Sequence, residues 1–443
     1  SDSSVSSSSS STERANNSVS SEASISSVHR EELRKIKNIG SGAFCSVDLV
    51  ADESHSVFAC KSIDPRRVGC SEDLCIATEE LANEAKMLSG LDHENIIKLR
   101  GVCAERFSES YESGGEGYFL MMDILNETLC DRKREWKKQE RKIEQTNKRR
   151  AAIRSLRRPF SGSNNTKKRA LPQSPASGAG LRERRQRMHD RIRDTVLGIA
   201  KGMKYLHSLN IVLRDLKPAN IGYENTVVEG GMFFESSVRL FDFGMAKKVD
   251  ECDPTEICGS PRYMAPEIIK GEGYGLGVDV YSFGITLYEI CSLKLPFAET
   301  FVYNPSRSRG SKVEDFYACI VNQGLKAASD EFLEKTVPCP KLRDLIGDCW
   351  NHDPGTRPTF DEILSRLLWV FHPDLFEDPT QKVVAEPRDD DDEEESEEEE
   401  TADEAMAADN KNNTKEKNDH RFSPPQTIEF DLASINGTQE SYQ

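Results

Sequence analysis

Between Arg132 and Arg193 the chain carries 22 Lys or Arg against five Asp or Glu. Such a stretch suggests no core of its own, because buried charges need partners that it does not contain. A fold must therefore be assembled from the sequence on either side. The whole chain nevertheless has a net charge of −17, and residues 386–404 alone hold 14 acids and a single Arg. Charge segregated into blocks argues for polar, mobile segments. Half of the first 30 residues are Ser, too polar to offset the ordering entropy of a fold. Residues 1–30 are thus expected to be a disordered leader and a candidate phosphorylation region, 131–191 a basic disordered insertion whose first part could form an exposed helix, and 373–443 an acidic disordered tail. No apolar run reaches the roughly 18 residues of a membrane span, and the start lacks the basic and apolar regions of a signal peptide. The twelve cysteines form no CxxC pair, which fits reduced thiols. The expectation is a soluble, intracellular protein without membrane contact, cytoplasmic or nuclear.

On the N-terminal side of the basic block, "IKNIGSGAFCSVDLVAD", "VFACKSI", "IIKLRGVC" and "YFLMMDIL" read as strands, broken by the helical "ATEELANEAKML". On its C-terminal side, Ile192, Val196, Ile199, Met203 and Leu206 recur at helical spacing, and further helices are expected over 278–291 and 341–350, the ordered part ending near Phe371. The coarse prediction is an α+β chain with a small, mainly antiparallel β region followed by a large, mainly helical one.

Within this frame lie short motifs in a fixed order. "IGSGAFCSV" places Gly40 and Gly42 at a turn where backbone amides can approach phosphates, although GxG alone also fits a dinucleotide site or an ordinary hairpin. The following "SVDLVA" is alternating and β-branched, so the loop belongs to a hairpin and not to a strand–helix turn. "FACK" and "ANEAKML" then supply Lys61 and Glu84, and "LRDLKPAN", "LFDFG" and "CGSPRYMAPE" supply Asp215, Lys217, Asn220, Asp242 and Ser260. Phosphoryl transfer needs a carboxylate that orients and accepts the proton of the acceptor hydroxyl, with further groups that gather triphosphate charge.

From about residue 33 to 372, apart from the basic block, this order resembles the eukaryotic protein kinases. Phrases such as "HENIIKLRGVC" and "CWNHDPGTRPTF" are similar to the tyrosine-kinase-like branch of the Ser/Thr kinases. The resemblance implies a bilobal protein kinase fold over 31–372, with an N-lobe over about 33–122 and a C-lobe over about 123–372. It implies ATP and Mg2+ as cofactors. Asp215 would be the base, Lys217 would touch the transferring phosphate, and Lys61 would pair with the α and β phosphates while held by Glu84. Gly40, Ser41, Gly42, Ala43, Phe44, Val47, Ala59, Met122 and Asp123 would surround the nucleotide, and Asn220 and Asp242 would be the magnesium ligands. Glu267 and Arg357 would form a buried ion pair, and Asp279 would brace the loop that carries Asp215.

Two departures from the family's pattern stand out. Leu213 replaces a histidine, and with Leu88, Leu99 and Phe243 it would make a wholly hydrophobic stack. Cys45 replaces a glycine; a small residue tolerated in a hairpin is one reading, and a thiol beside amides and Lys61 that is open to oxidation is the other. Lys217 and Ser260 agree with Ser or Thr as acceptor. Arg214 implies a site for an anion on the following loop, which Glu256 would supply in part and phosphorylated Thr255 would augment; an ordinary acidic loop is the alternative. The expected activity is ATP-dependent phosphorylation of Ser/Thr in protein substrates during intracellular signalling, against the alternative of a pseudokinase scaffold. The basic insertion would meet a polyanion or an import receptor, or stay solvated, and the acidic run around Ser396 would clasp it in cis or remain a solvated tail. The oligomeric state is left open.

Overall fold

A computed structural model describes residues 25–105, 117–156, 178–227, 234–253, 255–302 and 306–372. The acidic run, Ser396, the centre of the basic block and most of the Ser-rich leader lie outside the described residues. The fold below belongs to residues 1–368; of 369–443 only the first four are described.

The first lobe is a six-stranded sheet. Its strands are β1 (Ser26–Val28), β2 (Arg34–Ser41), β3 (Cys45–Ala51), β4 (Val57–Ile63), β5 (Leu99–Cys103) and β6 (Phe119–Met122), in the order β1-β5-β6-β4-β3-β2. All its pairs are antiparallel except β1 with β5. Helix α1 (Ser71–Ser89) begins six residues before the expected "ATEELANEAKML" and buries Ala77, Leu81, Glu84 and Leu88, a stripe at helical spacing, against β4, β5 and β6.

Strand β1 corrects the expected start of order near Glu31. It adds to the β5 edge in parallel, and Val28 enters a cluster with Val50, Cys60, Cys103, Phe119 and Met121. Gly101 permits the approach: a Cβ there would meet Val28 Cγ2 at 3.0 Å and the Ser26 carbonyl at 3.1 Å. Arg30 lies 4.6 Å over the Phe119 ring. A three-residue strand carries no periodicity that its Ser-rich context could reveal; the sheet edge selects it.

The second lobe starts with β7 (Glu127–Thr128) and α2 (Leu129–Leu156), then α3 (Gly178–Ser208), β8 (Ile211–Val212), β9 (Ile221–Val227), β10 (Phe234–Leu240) and β11 (Lys247–Lys248). Small sheets β10-β9-β7 and β11-β8 frame the loop between β8 and β9. Helices α4 (Pro266–Lys270), α5 (Gly277–Ser292), α6 (Arg309–Gln323), α7 (Asp330–Thr336), α8 (Pro340–Cys349) and α9 (Phe360–Phe371) complete it. Every residue of α5 from Val278 to Cys291 is buried, so this helix is the lobe's axis.

The stretch expected as a disordered insertion over 131–191 is helical over 131–156 and 178–191. Its flanks are also packed. Leu129, Lys133 and Trp136 share one face of α2 and are buried, and Met188 extends the buried stripe of α3 one turn before Ile192. Buried Lys133 is paired with Glu289 of α5, Arg191 lies 5.6 Å from the Trp136 ring, and Glu140 accepts a hydrogen bond from Arg191 at 3.0 Å. Carboxylates of distant and neighbouring elements thus meet the charge that made a core look unattainable. Farther along α2, Arg141, Lys142 and Lys148 are exposed, as read for its first part.

Candidate active site

The β2–β3 hairpin presents Gly40 opposite Val47 and closes with the Gly42 N–H donating to the Cys45 carbonyl at 2.8 Å. A Cβ added at Gly40 or Gly42 would meet nothing closer than 3.8 Å, so the hairpin does not itself require glycine there. What the missing side chains leave open is the backbone, as phosphate contact needs. Ser41 and Ala43 are exposed at this tip. Phe44 packs back onto the cluster of Cys45, Ile63, Ala77, Leu81 and Leu120. Cys45 is a member of that cluster, and burial pushes its thiol up to about 11 against the opposing charge of Lys61. Of the two readings of position 45 this environment favours the small residue tolerated in a hairpin: it faces the core, where the thiol stays protonated. Ala59 pairs with Met122 across β4 and β6, both buried, and Asp123 accepts two bonds from Arg100, at 2.6 and 3.0 Å.

Lys61 on β4 donates to Glu84 of α1 at 2.6 Å and to Asp242 at 2.8 Å, joining the two lobes. Burial opposes its charge, yet Asp242 and Glu84 hold its pKa well above the usual lysine value, and the ammonium stays charged. Lys61 in turn holds Asp242 below the usual carboxylate range. Asp242 sits in the left-handed region at φ 68°, and Asn83, next to Glu84, secures the segment after it: its amide donates to the carbonyls of Phe243, Gly244 and Ala246 at 3.3, 2.8 and 2.8 Å. Sequence reasoning passed over Asn83; the available signal was a poor helix former placed mid-helix.

The loop between β8 and β9 carries the second half of the site. Arg214 is held at φ 67°, an unfavourable conformation for a side-chain-bearing residue, and Asp279 stabilises it by accepting the N–H groups of Leu213 and Arg214, each at 2.8 Å. His207 Nε2 lies 3.1 Å from the same carboxylate. Asp215 is buried with both oxygens engaged. Oδ1 accepts from the Ser260 N–H at 3.0 Å, and Oδ2 accepts from Asn220 Nδ2 at 3.0 Å with Lys217 Nζ at 2.8 Å. Lys217 also donates to Ser260 Oγ at 2.7 Å. Gly259 makes this approach possible: its φ is 106°, and a Cβ would strike the Arg214 carbonyl at 2.6 Å. Leu88, Leu213 and Phe243 are buried, and Leu99 packs partly buried on the first lobe's core.

Arg214 donates to Glu256 at 2.7 Å, and Lys247, which the sequence did not single out, adds a second bond at 3.0 Å. Burial raises the Glu256 carboxyl, but these two cations carry it below its ordinary value. Thr255 is exposed and donates from N and Oγ1 to Asp253 at 2.9 and 2.7 Å, apart from that pocket. Arg357 makes two bonds to Glu267, at 2.6 and 2.9 Å, both buried.

Among the described residues no three His, Cys, Asp or Glu gather as a metal cage. The donor set that is present suits magnesium, which takes one or two protein oxygens and completes its shell with phosphates and water. The Asp242 side chain is 41% exposed, and Asn220 spends its Nδ2 on the carbonyl and carboxylate of Asp215, leaving Oδ1 as the donor oxygen.

The family described as "Protein kinase domain" matches residues 33–156 and 176–369. A probable serine/threonine-protein kinase of Dictyostelium discoideum is 34% identical over 181 residues, covering 40% of this chain and 11% of the relative. The dual specificity protein kinase shkB of the same organism is 33% identical over 179 residues, 40% of this chain and 23% of the relative. Serine/threonine-protein kinase STY46 of Arabidopsis thaliana is 34% identical over 175 residues, 39% of this chain and 26% of the relative. The chain thus aligns with about a quarter or less of the length of each of these relatives.

Proposed function

Because the chain belongs to the protein kinase family, whose match spans both lobes, we propose that it is an ATP-dependent kinase of protein Ser and Thr hydroxyls. The observation that carries this reading is the environment of Asp215, whose two oxygens are aimed by Ser260, Asn220 and Lys217. A carboxylate held in this way accepts the proton of an incoming hydroxyl as its oxygen bonds to the γ-phosphorus and the bond to the β-phosphate oxygen breaks. Lys217, beside that carboxylate, offers positive charge where the phosphoryl group passes, and Lys61, anchored by Glu84, offers it to the α and β phosphates. Asp242 and Asn220 would hold magnesium, which neutralises charge on the phosphate oxygens when bound.

The Lys217–Ser260 bond favours Ser or Thr as acceptor, since it ties the loop carrying Asp215 to the segment against which a substrate chain lies. The pseudokinase alternative has no missing group to stand on. Among the described residues no helix is long and apolar enough to cross a membrane, and we assign the activity to the cytoplasm or nucleus. A peptide array with labelled ATP tests the reading: label on Ser or Thr peptides is expected, with Asp215→Asn lowering turnover by about 10²–10⁴-fold. Wild-type turnover in that variant, or label confined to Tyr peptides, overturns it.

A further inference from the structure

The phenol oxygen of Tyr274 gathers an unusual set of neighbours in the segment after Asp242. It accepts from Arg214 Nη1 at 3.1 Å and donates to the Glu256 carbonyl at 3.0 Å. It also lies 3.6 Å from Cys252 Sγ and 3.8 Å from Cys258 Sγ. Two free thiols, six positions apart in the chain, thus converge on one oxygen atom. Between them the Glu256 N–H donates to the Asp253 carbonyl at 3.2 Å. Arg214 Nη1 also reaches Cys252 Sγ, at 3.6 Å.

We propose that Cys252 and Cys258 are a reversible disulfide site, closed by hydrogen peroxide, that switches the loop holding Glu256. The two thiols differ in the way such a reaction requires. Cys252 is half-buried and so the more accessible of the two, which makes it the thiol that meets peroxide first. Cys258 is buried, which shields it from peroxide and leaves it for the second, resolving step. The Cys252 thiolate takes one peroxide oxygen, giving a sulfenic acid and hydroxide. Cys258 sulfur then bonds to Cys252 sulfur, the sulfenic oxygen leaves as hydroxide, and the Cys258 proton goes to hydroxide. One proton from solvent completes the balance: two thiols lose two electrons, and peroxide becomes two waters.

The consequence follows from what the loop holds. A disulfide brings its sulfurs to about 2 Å, closer than two atoms spaced about a shared phenol in van der Waals contact. The loop must tighten, which draws on the Glu256 carbonyl bonded to Tyr274 and on Cys258, the neighbour of Gly259 and Ser260. The Arg214–Glu256 pair and the Ser260 N–H bond to Asp215 are the contacts at risk, so closure lowers activity. The effect on activity rests on the kinase reading above; the bridge itself does not.

The experiment uses the full chain, reduced, desalted and exposed to hydrogen peroxide. Both cysteines fall in one tryptic peptide, Val249 to Arg262, so a bridge appears as the loss of two hydrogens and of both alkylation sites within that peptide. We expect that species, a fall in activity of about tenfold or more, and recovery of both by a thiol reductant. Cys252→Ser should keep basal activity within about twofold and resist peroxide; because it retains the exposed Cys70 and Cys75, it separates their oxidation from the bridge. The proposal is overturned if the peptide stays fully alkylatable, if Cys252 only gains oxygen, if the bridge forms without changing activity, or if Cys252→Ser is inhibited as the wild type is. Reduced protein with no transferase activity would refute the kinase reading, and the peptide mass would still decide the bridge.

Discussion

Two lysines of this chain, Lys133 buried and Lys61 partly so, each meet a buried glutamate, and they differ in what else joins the pair. Lys133 of α2 meets Glu289 of α5, whose other oxygen accepts from the Tyr263 hydroxyl at 2.6 Å, with lysine and glutamate side chains only 8% and 4% exposed. That network is closed. Lys61 meets Glu84, 1% exposed, but its third partner Asp242 is 41% exposed. The first pair holds elements together, whereas the second presents charge to something that arrives. A buried lysine is therefore not a functional signal in itself; the open end of its network is.

Breaking the closed pair should have the largest effect. Lys133→Met leaves Glu289 charged, buried and short of a partner, a cost of about 3–5 kcal/mol, which a denaturant titration would register as a large drop in midpoint at unchanged slope. Adding Glu289→Leu should recover most of the loss, since two apolar groups need no partners. If the double variant is no more stable than the single one, the closed network does more than pair charge.

The open pair should behave in the opposite sense. Lys61→Met removes the cation proposed to meet the phosphates and should raise the barrier by about 3–4 kcal/mol, seen as lost turnover with labelled ATP. Its stability should fall less than that of Lys133→Met, because burial already raises the Glu84 carboxyl and protonation there relieves the unpaired charge. A greater loss of stability at Lys61 than at Lys133 would erase the distinction.

A smaller effect is expected at the surface latch. Glu256→Gln should lower activity about tenfold, near 1.4 kcal/mol, and Thr255→Ala and phosphatase treatment only in part, with Arg214 and Lys247 already engaged by a carboxylate. The pH dependence has a definite sign. The folded Glu256 carboxyl lies below its ordinary value, so the stability it contributes is present above the unfolded pKa of about 4.3 and is lost as pH falls through the folded one. Wild type should lose its advantage over Glu256→Gln across that acidic window, and complete inactivity of Thr255→Ala alone would show that Glu256 does not serve as the anion. The smallest effect is expected from Leu213→His, within about tenfold in turnover, because Asp279 holds the backbone of position 213 whatever its side chain.

The motifs from Lys61 to Asp242 were legible because their chemistry needs particular side chains in a particular chain order, and the strands and helices around them follow periodicities of two and 3.6. Other features were not. β1 is three residues whose order comes from an edge over 70 positions away. Lys247 is one of many lysines until the loop brings Glu256 to it. At Cys45 the motif suggested a thiol over phosphates, and the pleat turned it into the core.

By itself the sequence determined the two-lobe plan and the chain order of the carboxylates and amide proposed to meet phosphate, because each depends on residue type and local order. Only the tertiary structure decided which charges are satisfied. The basic block looked unable to pack because its own carboxylates are few, and Lys133 became a core residue only when α5 placed Glu289 against it. Pairing energy in a buried site depends on distance and on excluded water, and neither quantity is written along the chain.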